Sequence, residues 1–104
     1  MENNGQLGTF PAKLYIDDLR PVPEGWLLAK NSAEAIAMIE SNPPFEAISF
    51  DHDLGGDDTS RKVVLWLCEH EDKWPRTAYV HSFNPIGREW LTGMINRYGC
   101  GVSR

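Results

Sequence analysis

The side chains able to do chemistry fall in three short clusters, Asp17-Asp18, Asp51-His52-Asp53 and His81-Ser82. Carboxylates gathered in one place repel each other unless a cation or a proton intervenes. Mg²⁺ is the natural partner, because it takes hard oxygen ligands and keeps waters that a phosphate can displace; Mn²⁺ is the alternative. Asp17, Asp18, Asp51 and Asp53 are the candidate metal ligands. An imidazole titrates near neutral pH, so His81 is the candidate general acid or base, and His52 either shares that role or orients the site. Ser82 and Asn84 are candidate donors to phosphate oxygens. Arg20 is a candidate phosphate clamp, and Arg88 a weaker one because it is expected to face solvent. A serine–histidine nucleophile pair is not indicated, since Ser82 and His81 are sequence neighbours and no Gly-x-Ser-x-Gly turn surrounds them. The competing structural reading makes each aspartate a strand terminator or turn cap. It makes His70 a solvated helix residue.

Each cluster must be positioned by the apolar run before it. Lys13-Leu14-Tyr15-Ile16, Ala47-Ile48-Ser49-Phe50 and Thr77-Ala78-Tyr79-Val80 read as short buried strands, and Trp26-Leu27-Leu28-Ala29 as a further one. On an extended chain Asp51 and Asp53 would share a side and His52 would point away. Arg20-Pro21-Val22-Pro23-Glu24-Gly25 is an ordered loop, and Leu54-Gly55-Gly56-Asp57-Asp58 a flexible one. Asn31 and Glu34 form a helix start, in which Asn31 accepts from the Glu34 amide while the carboxylate reaches back. Asn42-Pro43-Pro44 ends that helix. Helical spacing resumes near Ser60 with Val63, Val64, Leu67 and Cys68, and Trp74-Pro75 closes it. Asn84-Pro85 opens the last helix, whose stripe Trp90, Leu91, Met94, Ile95 and Tyr98 reads as core packing. Strands alternating with helices favour a parallel sheet, and ligands of such sheets bind beyond the carboxyl ends of the strands.

At 104 residues the chain suits a single domain, here 12–104 behind a polar tail, 1–11. Cys68 and Cys100 share no motif and read as thiols in a reducing, cytoplasmic setting. No apolar stretch is long enough to span a membrane. A net charge of −5 argues against extended binding along a nucleic-acid backbone, but not against contact with a nucleotide or an RNA end. A non-enzymatic module or small inhibitor docking on a protein partner through Trp26, Trp74 or Phe83 is the alternative class.

The segments Leu14-Tyr15-Ile16-Asp17-Asp18-Leu19-Arg20-Pro21, Phe50-Asp51-His52-Asp53-Leu54-Gly55 and Val80-His81-Ser82-Phe83-Asn84-Pro85 resemble the cyclic-phosphate processing receiver domains. The likeness runs over roughly 13–97, and the wider resemblance is to response-regulator receivers. It implies a small three-layer α/β sandwich with a parallel sheet of four strands, or five if the C-terminus pairs, in the order 2-1-3-4. By this resemblance Asp17 and Asp18 match the acidic pair that helps hold Mg²⁺, Asp51 the phosphoacceptor and Ser82 the hydroxyl residue after the fourth strand. The Asp53 carbonyl matches a further metal contact. The chain departs from receivers in lacking a lysine after a fifth strand, since only Gly99 to Arg104 follow Tyr98, and in carrying His52 and His81. Those departures favour hydrolysis of a phosphate ester, such as a cyclic phosphate on a nucleotide or RNA end, over a phospho-accepting regulator.

Overall fold

The structure is a computed structural model that describes residues 12–103. The expected tail, 1–11, lies outside the described residues. Strands β1 (Lys13–Ile16), β2 (Leu27–Ala29), β3 (Ala47–Phe50) and β4 (Thr77–Val80) pair in parallel in the order β2-β1-β3-β4. The two strands that end in aspartates are therefore the central neighbours, as expected. Every residue of β3 is buried, which is why it reads as an unbroken run and not as an alternation. Beyond β4, Val102 forms a parallel bridge to Ala78 and the Ser103 amide donates to the Ala78 carbonyl at 2.7 Å. The C-terminus thus begins a fifth position without completing a strand.

The helices are α1 (Ser32–Ser41), α2 (Arg61–Cys68) and α3 (Pro85–Tyr98), with a 3-10 turn at Glu71–Lys73. At the start of α1, Asn31 Oδ1 accepts from the Glu34 amide at 2.8 Å and Glu34 Oε1 accepts from the Lys30 amide at 2.8 Å. Asn84 Oδ1 accepts from the Gly87 amide at 3.0 Å, and Pro85 follows where no donor is needed. Helix α2 starts without a side-chain cap.

One layer differs from the expected three. Helix α1 connects β2 to β3 and α2 connects β3 to β4; α1 packs on α2, and α3 beside α2, on one face. Leu14, Ile16, Ile48, Phe50 and Ala78 meet Ala35, Ile39, Val63, Leu67, Leu91 and Ile95 there, all fully buried. Burying one such large side chain is worth about 1.5–3 kcal/mol. The opposite face has the β1–β2 loop in place of a helix. Trp26 lies edge-on to Tyr15 and Tyr79, with centroids 5.9 and 6.3 Å apart.

In α3 the buried stripe narrows to Leu91 and Ile95, while Tyr98 is exposed. His70 is not simply solvated: its ring stacks on Trp66 at 3.8 Å and Nδ1 donates to the Trp66 carbonyl at 2.7 Å. Trp26 and Trp74 are half-buried, so of the three aromatics expected to be exposed Phe83 alone stands open. Cys68 packs against the core, and Cys100 is exposed. No helix among the described residues is long and apolar enough to cross a membrane.

Candidate functional site

Register assembles the site. Tyr15 pairs with Ser49 and Ser49 with Tyr79, so the next residues on that face are Asp17, Asp51 and His81. One ligand atom from each of these three lies within 4.8 Å of the others. Beyond them opens a cleft of about 590 Å³, bordered also by Asp18, Asp53, Ser82, Asn84 and Arg20. Most of the expected site residues therefore converge. Arg88 does not: it is exposed, reaches the Ser82 carbonyl from α3 at 3.3 Å and borders a different hollow.

Asp17 is buried and its carboxylate is enclosed by donors. Oδ1 accepts from the amides of Leu19 and Arg20 at 2.9 and 2.8 Å, and Oδ2 from His81 Nε2 at 3.0 Å. Burial pushes its pKa up, but these hydrogen bonds outweigh burial and leave it below the ordinary value. Asp51 goes the other way: burial first and the Asp17 charge second raise its pKa. Its Oδ1 accepts from the His52 amide at 2.8 Å.

His81 sits behind Asp17. Its ring stacks on Tyr15 at 4.3 Å with planes 7° apart, and Nδ1 lies 2.7 Å from Ser49 Oγ. Burial lowers its pKa in spite of the neighbouring carboxylates, so the ring is neutral near pH 7. The single ring proton is then on Nε2, because Asp17 can only accept, and Nδ1 accepts from the Ser49 hydroxyl. Asp17 and His81 are thus joined at neutral pH by a hydrogen bond to a neutral imidazole, not by an ion pair.

His52 lies on the other side of β3, against α3. Arg61 Nε donates to its Nε2 at 2.9 Å, so the ring proton is on Nδ1, which donates to Asp53 Oδ1 at 2.9 Å. Asn84 Nδ2 donates to Asp53 Oδ2 at 3.2 Å. The His52 and Asn84 hydrogen bonds hold the Asp53 carboxyl below its ordinary pKa. Asp53 is 63% exposed at the cleft edge, outside the close trio. Ser82 is buried and its Oγ accepts from the Asn84 amide at 3.1 Å, which leaves the hydroxyl proton for the cleft.

Sequence reasoning missed Ser49, Arg61 and Gly87. Ser49 had a signal, as the one polar residue in an apolar strand and two positions before Asp51 on the same face. Gly87 had a weaker one, a glycine inside the first turn of a helix. A Cβ there would stand 2.5 Å from His52 Nδ1 and closer still to Cγ, so the ring packs directly on the helix backbone.

The donor set fits a hard divalent cation. Asp17 and Asp51 face each other closely enough to raise the Asp51 pKa, and Arg20, the one cationic side chain bordering the cleft among the described residues, offsets their charge only in part, with Nε 3.8 Å from Asp17 Oδ2. Its Nη1 donates to the His81 carbonyl at 2.7 Å and its guanidinium lies 4.4 Å from the Phe83 ring centroid. Gly55, at φ +91°, brings the next loop against Asp18, where a Cβ would meet Oδ2 at 3.1 Å.

A family model, that of the cyclic-phosphate processing receiver domain, matches residues 12–97. No curated protein and no solved structure matches the chain.

Proposed function

This chain belongs to the cyclic-phosphate processing receiver domain family, and from that premise we propose that it hydrolyses a cyclic phosphate on a nucleotide or RNA end. The observation that carries the reading is the meeting of Asp17 and Asp51, with His81 behind Asp17, in a cleft bordered by Arg20, Ser82 and Asn84. Asp17 and Asp51, with Asp18 and the Asp53 carbonyl beside them, are the residues to hold Mg²⁺ or Mn²⁺. Such a cation supplies Lewis acidity to the phosphoryl group.

The chain's own groups supply the rest. Ser82 Oγ–H donates to a phosphoryl oxygen, and Arg20 offsets the phosphate charge with the guanidinium hydrogens not placed on the His81 carbonyl. Water forms the new P–O bond as the ring P–O bond breaks. Asp51 accepts the water proton, the departing oxygen takes one from bulk solvent, and Asp51 then releases its own. His81 is a positioning residue, since both ring nitrogens are engaged with Asp17 and Ser49. His52 and Asn84 fix Asp53 against the start of α3.

Hydrolysis is favoured over stable phosphorylation of Asp51 because no lysine among the described residues borders the cleft. The test is incubation with Mg²⁺ or Mn²⁺ and a panel of 2′,3′-cyclic nucleotides, 3′,5′-cyclic nucleotides and RNA ending in a cyclic phosphate. At least one should be opened, and a chelator or Asp51→Asn should abolish the reaction. Folded protein that opens none of them, or that gains stable mass at Asp51 from a small phosphodonor, overturns the reading.

A further inference from the structure

We propose that Phe83 is the stacking platform for the base of the substrate, so that the ester processed is a nucleoside cyclic phosphate read at its terminal nucleotide. This rests on the phosphoesterase reading above and narrows it. Phe83 is 88% exposed, and Leu19 on the facing loop is 87% exposed. Both border the cleft that contains Asp51 and Ser82. Neither belongs to the core, so burial does not account for them. An apolar rim over a polar floor is the make-up of a small-ligand site.

The Phe83 ring is backed on one side. The Arg20 guanidinium lies 4.4 Å from its centroid, and Arg20 is itself anchored to the His81 carbonyl at 2.7 Å. With the cation on one face and the residue 88% exposed, the other face of the ring is open to a planar ligand. Nucleobases stack on such a face whatever their identity, because each has a π-face. Ser82 and Phe83 border the same cleft, so a phosphate held by Ser82 leaves its sugar and base in the space that Phe83 rims. A net charge of −5 gives no electrostatic support for tracking further phosphates. Recognition therefore stops at the terminal nucleotide.

The experiment compares adenosine 2′,3′-cyclic phosphate, glycerol 1,2-cyclic phosphate and a short RNA ending in the same cyclic nucleotide. The parent should show a KM for the nucleotide about 5- to 150-fold below that for the glycerol ester, the range of losing one base–aromatic stack. Phe83→Ala should bring that ratio close to one, and Phe83→Trp should restore it. The RNA should match the mononucleotide in KM. In the Asp51→Asn protein the nucleotide, but not the glycerol ester, should shift the Phe83 ring resonances. Equal KM values for nucleotide and glycerol ester in the parent, with Phe83→Ala silent, overturn the platform and leave the phosphoesterase standing. An RNA bound far more tightly than the mononucleotide overturns recognition of the terminal nucleotide alone. Failure to open any of the esters, with no ring shift, overturns both readings.

Discussion

Replacing Gly87 with alanine should destabilise the fold, while the same change at Gly93 in the same helix should stabilise it. In an open helix position alanine is favoured over glycine by about 1 kcal/mol. At Gly93 an added Cβ meets nothing within 4 Å, so that gain should appear nearly in full. At Gly87 the added Cβ would stand 2.5 Å from His52 Nδ1 and closer still to Cγ. His52 cannot turn aside cheaply, being buried and bonded at both ring nitrogens to Arg61 and Asp53. Overpacking of this kind costs about 1–3 kcal/mol, which exceeds the propensity gain over most of that range. For a domain near 100 residues each kcal/mol moves Tm by about 4–8 °C. Thermal unfolding followed by circular dichroism should show Gly93→Ala several degrees above the parent and Gly87→Ala below it. Adding Gly87→Ala to His52→Ala should cost much less than adding it to the parent, because the clashing ring is gone. A Gly87→Ala protein as stable as Gly93→Ala would refute the close packing of His52 on α3.

Two further outcomes follow from the charges. Asp51 holds its proton more tightly folded than unfolded, so its contribution to stability is complete below the ordinary value of 3.8 and is lost as pH rises through the raised folded value. In chelator, Asp51→Asn should therefore raise Tm at pH 7 and approach the parent as pH falls through that window; a lower Tm at pH 7 would mark Asp51 as a structural cap. His81, with its folded pKa lowered, contributes stability that is complete above its ordinary value of 6.5 and is lost as pH falls through the folded value. Nitrogen-detected NMR at pH 7 should show the His81 proton on Nε2, and a proton on Nδ1 would contradict the Ser49–His81–Asp17 chain.

Much of the fold was legible because a short apolar run that stops at an acid suits a buried parallel strand and little else. The Asn31 and Asn84 caps were legible because their partners lie three residues away, within local chemistry. The loss of a helical layer was less so. Pro21 and Pro23 exclude a full helix after β1, but nothing local says that Trp26 will lie edge-on to Tyr15 and Tyr79 in its place. Within the site, Asp17 and Asp51 were found by type and position. The setting of each histidine depended on residues distant in sequence: Ser49 and Tyr15 place His81, Arg61 and Gly87 place His52. Alternation could not locate His52, because the chain leaves the sheet after Phe50 and turns back, with the Ser60 amide donating to the His52 carbonyl at 2.9 Å.

The most direct test is ³¹P NMR of a 2′,3′-cyclic nucleotide incubated with the protein and Mn²⁺ or Mg²⁺ in ¹⁸O-enriched water. Hydrolysis at the Asp17–Asp51 cleft predicts a ring-opened monoester carrying one ¹⁸O on phosphorus, formed by the parent and not by Asp51→Asn or in chelator. An unchanged cyclic phosphate with folded parent protein, or ring opening that Asp51→Asn leaves at full rate, would contradict it.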